Sequence, residues 1–223
     1  MTLTTCSVTN NGGYGLNVDA KNVVLMDSEF KRNTGWGVFC QGYNGQSRLE
    51  MRNCNIRENS YGVYLYSSFS AVVMVSNTIS DHAGTGLEWQ VQSGQLGAGG
   101  ISGNTIRSNQ VGIRVSGSAP AVLTLSGNDI YGNRDFEIQN QSSIAVTATN
   151  CYWGEPTSTE LNQSQVNLSR IYDQKDSGSL GLVTLLPARF APIGQVSGTA
   201  PTITQHPQSQ SVPAEPSCAK NVR

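Results

Sequence analysis

Glu88, Arg114 and Glu137 follow one another at intervals of 26 and 23 residues, and each lies between two apolar residues: Leu87/Trp89, Ile113/Val115 and Phe136/Ile138. In an extended chain the residue between two inward-facing neighbours points outward. The three are therefore expected on one surface. Glycoside cleavage uses two carboxyl groups about 5–10 Å apart, and two strand spacings would separate Glu88 from Glu137 by about 10 Å. The same Glu-Arg-Glu alternation also arises when neighbouring strands neutralise one another's charge. Both readings stay open, with Glu88, Arg114 and Glu137 as the candidate catalytic residues. A lyase or epimerase needs a base and a group that neutralises a substrate carboxylate, often Ca²⁺ held by several acids. No dense Asp cluster accompanies Arg114.

The same outward position in other copies holds Asn17, Phe39 and Tyr64, and two residues further on stand Asp19, Gln41, Tyr66, Gln90, Ser116 and Gln139. Aromatic faces mixed with amides and carboxylates suit a polysaccharide, whose ring faces stack and whose hydroxyls need directional partners. Phe39, Tyr64, Tyr66, Glu88 and Arg114 are accordingly the candidate carbohydrate-binding residues. The alternative is a solvated sheet whose rings cover one another across strands.

These positions are set by an internal repeat, with six copies between "VTNNGGYGLNVD" and "NDIYGNRDFEIQN". Each has a leading apolar residue (Val8, Phe30, Ile56, Ile79, Ile106, Ile130), and three residues later Asn11, Asn33, Asn59, His82, Asn109 or Asn133. Then comes Gly15, Gly37, Gly62, Gly86 or Gly112, with Asp135 in the last copy, followed by an alternating apolar pair. A period of 22–27 residues with short alternating stretches and no helical stretch predicts a solenoid of strand–turn–strand–turn–strand coils. Stacked coils bring like residues into columns, so the Asn series is expected to form a hydrogen-bonded ladder at a left-handed corner. Asn77, Asn104, Asn128 and Asn150 make a second ladder before the leading apolar residue, with Cys6, Ser28 and Cys54 there in earlier copies.

The repeat, of the form "NxIxxNxxGIxV", resembles the right-handed parallel β-helix repeat family, which includes pectate-lyase-like and other sugar-associated proteins. "NCYWGEPTS" (150–158) is similar to an NxWWG motif that ends many bacterial members, and "RIYDQKDSGSLGLVTLLPARFAP" (170–192) to the segment that follows it. The resemblance implies an all-β, right-handed parallel β-helix solenoid of about six to seven coils. It also implies a secreted or surface bacterial protein, extracellular or at the cell surface, whose further domains lie elsewhere in the parent chain. Function is left open by the fold. The expectation is a non-catalytic module with weak glycan binding. The alternatives are a polysaccharide lyase, glycoside hydrolase or epimerase, and a structural adhesin or stalk spacer.

The expected organisation is β-helix coils over 1–154, a C-terminal capping segment over 155–195, and a linker or truncated immunoglobulin-like start over 196–223. The last rests on "APTITQHPQSQSV". Within "NCYWG", Tyr152 is expected in the place of the leading Ile and Trp153 over the end of the stack. Only 13% of residues are charged and the formal charge is −1, which gives no electrostatic footprint for nucleic acid. Nothing in the chain reads as a membrane span or a signal peptide. No cofactor and no metal site are expected, because the two His are dispersed, His206 lying in the tail. One reading of Asp81 beside His82 is a general base, although a His in an Asn column more often substitutes within the ladder. Cys6 and Cys54, two coils apart, are expected beyond disulfide reach.

Overall fold

The computed structural model describes residues 1–42, 46–66, 69–91, 100–117 and 122–194, and the expected boundary at 196 lies outside them. The first coil is β1 (Thr2–Thr4), β2 (Ser7–Thr9) and β3 (Leu16–Asp19), and the second β4 (Asn22–Met26), β5 (Glu29–Lys31) and β6 (Trp36–Gln41). The third is β7 (Ser47–Arg52), β8 (Asn55–Arg57) and β9 (Tyr61–Tyr66). The fourth is β10 (Phe69–Val75), β11 (Thr78–Ser80) and β12 (Thr85–Val91), and the fifth β13 (Ile101–Ser102), β14 (Thr105–Arg107) and β15 (Val111–Gly117). After them come β16 (Val122–Thr124), β17 (Asp129–Tyr131), β18 (Phe136–Asn140) and β19 (Ala145–Thr147). The helix α1 (Thr157–Asn162), β20 (Ile171–Tyr172) and β21 (Val183–Thr184) are the last elements among the described residues.

Like strands pair in parallel from coil to coil, in sheets of five, six and seven strands. The result is a parallel β-solenoid of five turns complete in all three sheets, slightly fewer than the repeat count suggests. The first sheet ends at β13, and β16, β19 and β21 form a separate three-stranded sheet. Inside, the leading residues Phe30, Ile56, Ile79, Ile106 and Ile130 make one fully buried column. Val38, Val63, Leu87, Ile113 and Ile138 make another. Among the described residues no helix is long and apolar enough to cross a membrane.

Two amide ladders hold the corners. The Asn33 backbone N–H and side-chain Nδ2 both donate to Asn59 Oδ1, at 2.8 and 2.9 Å. Asn109 donates to Asn133 Oδ1 in the same way, at 3.0 Å twice. In the second ladder Asn77 donates to Asn104, and Asn104 to Asn128, at 2.9–3.0 Å. These side chains are almost wholly buried, so each amide satisfies polar groups that burial would otherwise leave unpaired.

Two details correct the sequence reading of the corners. The left-handed residue precedes the ladder residue: Arg32, Glu58, Asp81 and Ser108 have φ of 54–62°. The ladder Asn is thereby left free to aim its amide along the stack. For the same reason Asn150 is not a ladder member. It takes the left-handed place with φ 54°, and Cys151 stands in the column, its Sγ receiving the Asn128 N–H at 3.4 Å.

The repeated glycines are required by close approach. A Cβ on Gly62 would come within 2.1 Å of the Gly86 carbonyl oxygen and 2.9 Å of the His82 ring. Neither neighbour can withdraw without parting the coils. Gly62→Ala is therefore expected to cost about 3 kcal/mol or more, at the upper end of overpacking penalties, read as a lowered denaturation midpoint.

His82 fills an Asn position, where its Nδ1 accepts the Asn59 N–H at 3.1 Å. The Asp81 carboxylate meanwhile accepts the Ser80 hydroxyl at 2.7 Å. Burial pushes the His82 pKa down to about 4, so the folded state resists a proton that the unfolded chain takes up near its usual 6.5. Stability should then be lost as pH falls from about 6.5 to 4, by about 3 kcal/mol for this group. His82→Asn is expected to remove that acid-sensitive part, as measured by thermal melts at pH 4.5 and 7.5.

The segment that follows β18 continues the stack. Tyr152 is in register with Asp129, so Trp153, not Tyr152, follows Ile130 in the inner column and is fully buried. Within the segment read as a cap, β20 pairs with β18 and β21 with β19. Asn140 ends the inner column of Cys40, Leu65, Trp89 and Val115, and its Nδ2 donates to the Ile144 and Gly181 carbonyls at 2.8 Å.

Candidate aromatic binding face

The outer face of the seven-stranded sheet carries the candidate residues. Register places Asn17, Phe39, Tyr64, Glu88, Arg114, Gln139 and Tyr172 in one column. Beside it run Asp19, Gln41, Tyr66, Gln90 and Ser116. Phe39, Tyr64, Tyr66, Glu88 and Arg114 thus share one surface in consecutive coils.

Glu137 does not join them. Phe136 pairs with Val111 and Ile138 with Ile113, which puts Glu137 in the glycine column opposite Gly112. The expected assignment of Asp135 to that column, of Glu137 beside Arg114 and of Gln139 beside Ser116 is out of register by two residues, Gln139 standing beside Arg114 instead. The reason is physical: the glycine-column residue and the apolar residue after it are both buried, as at Gly62–Val63. Simple alternation therefore fails at the start of each of these strands. Glu137 is 1% exposed and accepts a hydrogen bond from Asn133 Nδ2. Glu88 and Glu137 consequently do not flank a common site, and the paired-carboxylate reading falls.

Burial raises the Glu137 carboxyl to about 7, against the opposing pull of Asn133 and Arg170. A carboxyl whose pKa rises on folding costs stability as pH climbs from its ordinary value toward the folded one. Here the window is about pH 4.5–7, and the cost above it is about 3 kcal/mol. Glu137→Gln should therefore match the parent at pH 4 and exceed it in midpoint at pH 8, by urea titration at the two values.

The rings form more than the expected trio. Trp36 stacks on Tyr61 and Tyr64, with centroids 4.7 and 4.9 Å apart, and Tyr14 lies parallel to Phe39 at 5.5 Å. Phe39–Tyr64 and Tyr64–Tyr66 contacts at 5.0 and 6.0 Å join them into one patch. Tyr14, Trp36 and Tyr61 were missed because they lie outside the strict alternation. Their signal was the aromatic residue before the repeat glycine in three successive copies: Tyr14-Gly15, Trp36-Gly37 and Tyr61-Gly62. Two corner glycines seat the outer rings, since a Cβ on Gly35 would strike Tyr14 at 2.4 Å and one on Gly84 would strike Tyr61 at 2.2 Å. Tyr14 and Tyr61 remain 45% and 41% exposed, so the patch presents ring faces and edges to solvent.

Next to the rings the face becomes polar. The Tyr64 hydroxyl donates to Gln90 Oε1. Burial raises the Tyr64 pKa, with a smaller push from Glu88. Arg114 reaches Glu88 Oε2 at 3.3 Å through Nη1 and Gln139 Oε1 at 2.9 Å through Nε. Burial raises the Glu88 pKa despite the guanidinium beside it. A separate hollow of about 590 Å³ is lined by Arg189, Phe190 and Ile193. There the Arg189 guanidinium is engaged by Asp129 at 2.6 Å and by the Asn128 and Asn150 carbonyls. Cys6, Cys40, Cys54 and Cys151 are free thiols.

The fold and its columns define a parallel β-solenoid whose seven-stranded sheet carries aromatic and polar side chains on its outer face. The family of the right-handed β-helix region matches residues 1–153, and the chain belongs to it. No curated protein and no solved structure matches the chain.

Proposed function

We propose that the outer face of the seven-stranded sheet binds polysaccharide, and that the chain serves as a non-catalytic recognition module of a secreted or cell-surface protein. The observation that carries this reading is the contiguous patch of Tyr14, Trp36, Phe39, Tyr61, Tyr64 and Tyr66 across three coils. Its rings are fixed by neighbouring coils before any ligand arrives, which lowers the ordering cost of binding. Sugar rings stack on such faces while Gln41, Gln90 and Ser116 supply partners for hydroxyls. Coils are about 4.8 Å apart along the solenoid, so an extended glycan lying along the stack meets a new ring at each of the first three coils.

A binding role is favoured over cleavage by the spacing of carboxylates. Among the described residues of the two outward columns, the acids are Asp19 and Glu88, three coil steps apart. That is about 14 Å at strand spacing, beyond the reach of a glycosidase pair.

Affinity electrophoresis against a panel of plant and microbial polysaccharides tests the proposal. Retention by at least one glycan is expected, with Trp36→Ala and Tyr64→Ala each weakening it about tenfold, as for loss of about 1.4 kcal/mol of stacking. No retention by any glycan, or retention unchanged in the double variant, would refute it.

A further inference from the structure

Resting on that reading, the geometry points to a restricted class of ligand: we propose that this face selects uncharged glycans, with Glu88 acting as the residue that silences Arg114. Arg114 is the cation of the outward columns among the described residues, and its guanidinium is already committed on two sides. Nη1 lies 3.3 Å from the Glu88 carboxylate and Nε 2.9 Å from the Gln139 amide oxygen. The pair is well shielded, with side-chain exposures of 28% for Arg114 and 16% for Glu88. Asp19, at the far end of the neighbouring column, adds a second negative charge with no cation opposite it in the register.

An acidic polysaccharide carries a carboxylate on successive sugars. Laid along this face, it would find no guanidinium able to receive it without abandoning Glu88, and it would meet repulsion from Asp19. A carboxylate held there without a partner loses hydration for nothing in return. A neutral glycan meets no such penalty, because rings and amides answer its faces and hydroxyls. Charge at this face is therefore a filter. Removal of the Glu88 charge should turn Arg114 into an anion-receiving group of the kind that pairs with carboxylates in two-pronged fashion.

The test measures retention of the intact chain by a neutral set (hydroxyethylcellulose, arabinoxylan, galactomannan) and by polygalacturonate, in low and high salt. The parent is expected to bind within the neutral set and not to polygalacturonate. Glu88→Gln should gain polygalacturonate binding on the order of tenfold above background, abolished by high salt. Glu88→Gln combined with Arg114→Gln should lose it again, while thermal melts confirm folding of each variant. Preference of the parent for polygalacturonate would overturn the filter yet leave polysaccharide binding standing. Failure of a folded Glu88→Gln variant to gain acidic binding would also overturn it. No retention of the parent by either class would remove the binding reading itself, and this inference with it.

Discussion

The side-chain amide that bridges one coil to the next is the interaction on which this molecule depends. A buried Asn at a corner accepts two N–H donors from the coil above through Oδ1, and its own Nδ2 reaches a carbonyl as well as the next amide. Asn104 shows the full set, donating to Asn128 and to the Met74 carbonyl while receiving Asn77. A corner must break the sheet's own hydrogen bonding, and these amides replace what the break removes. They also fix register. A slip of one residue would expose an apolar column and orphan a row of buried amides at once.

Register in turn decides what the surface displays. Because each coil repeats the last at strand spacing, a single aromatic preference at one repeat position becomes a row of rings. Phe39 and Tyr64 occupy one such row, and Tyr14, Trp36 and Tyr61 another. The glycine column from Gly15 to Gly112 lets coils approach, and other corner glycines, Gly35 and Gly84, give the outer rings of Tyr14 and Tyr61 somewhere to lie. Coil packing and the seating of the outer rings thus both use the lack of a Cβ at chosen corners.

Departures from the repeat fall into two kinds. Cys151 and His82 substitute within ladders and still accept the backbone N–H of the preceding coil's Asn, through a thiol sulfur or an imidazole nitrogen in place of an amide oxygen. Glu137 instead occupies a glycine place where the stack is ending, and there a longer side chain turns back to the ladder at Asn133. Both buried titratable groups are tolerated because they sit beside hydrogen-bonding partners, yet each has its pKa moved by burial in the direction that favours the neutral form.

The repeat itself, the inward columns, the ladders from Asn11 to Asn133 and from Asn77 to Asn128, and the outward placing of Phe39, Tyr64, Tyr66, Glu88 and Arg114 were legible in the order of residues. They follow from local period, and a period of two or of one coil survives in the chain as written. The place of Glu137, the exchange of Asn150 for Cys151, the burial of Trp153 and the joining of six rings into one patch were not. Each depends on how many residues a corner consumes, which is set by the coil packed against it and not by the residue's own neighbours in sequence. Adjacent coils alone decide whether a side chain at a corner meets solvent, a glycine or another ring.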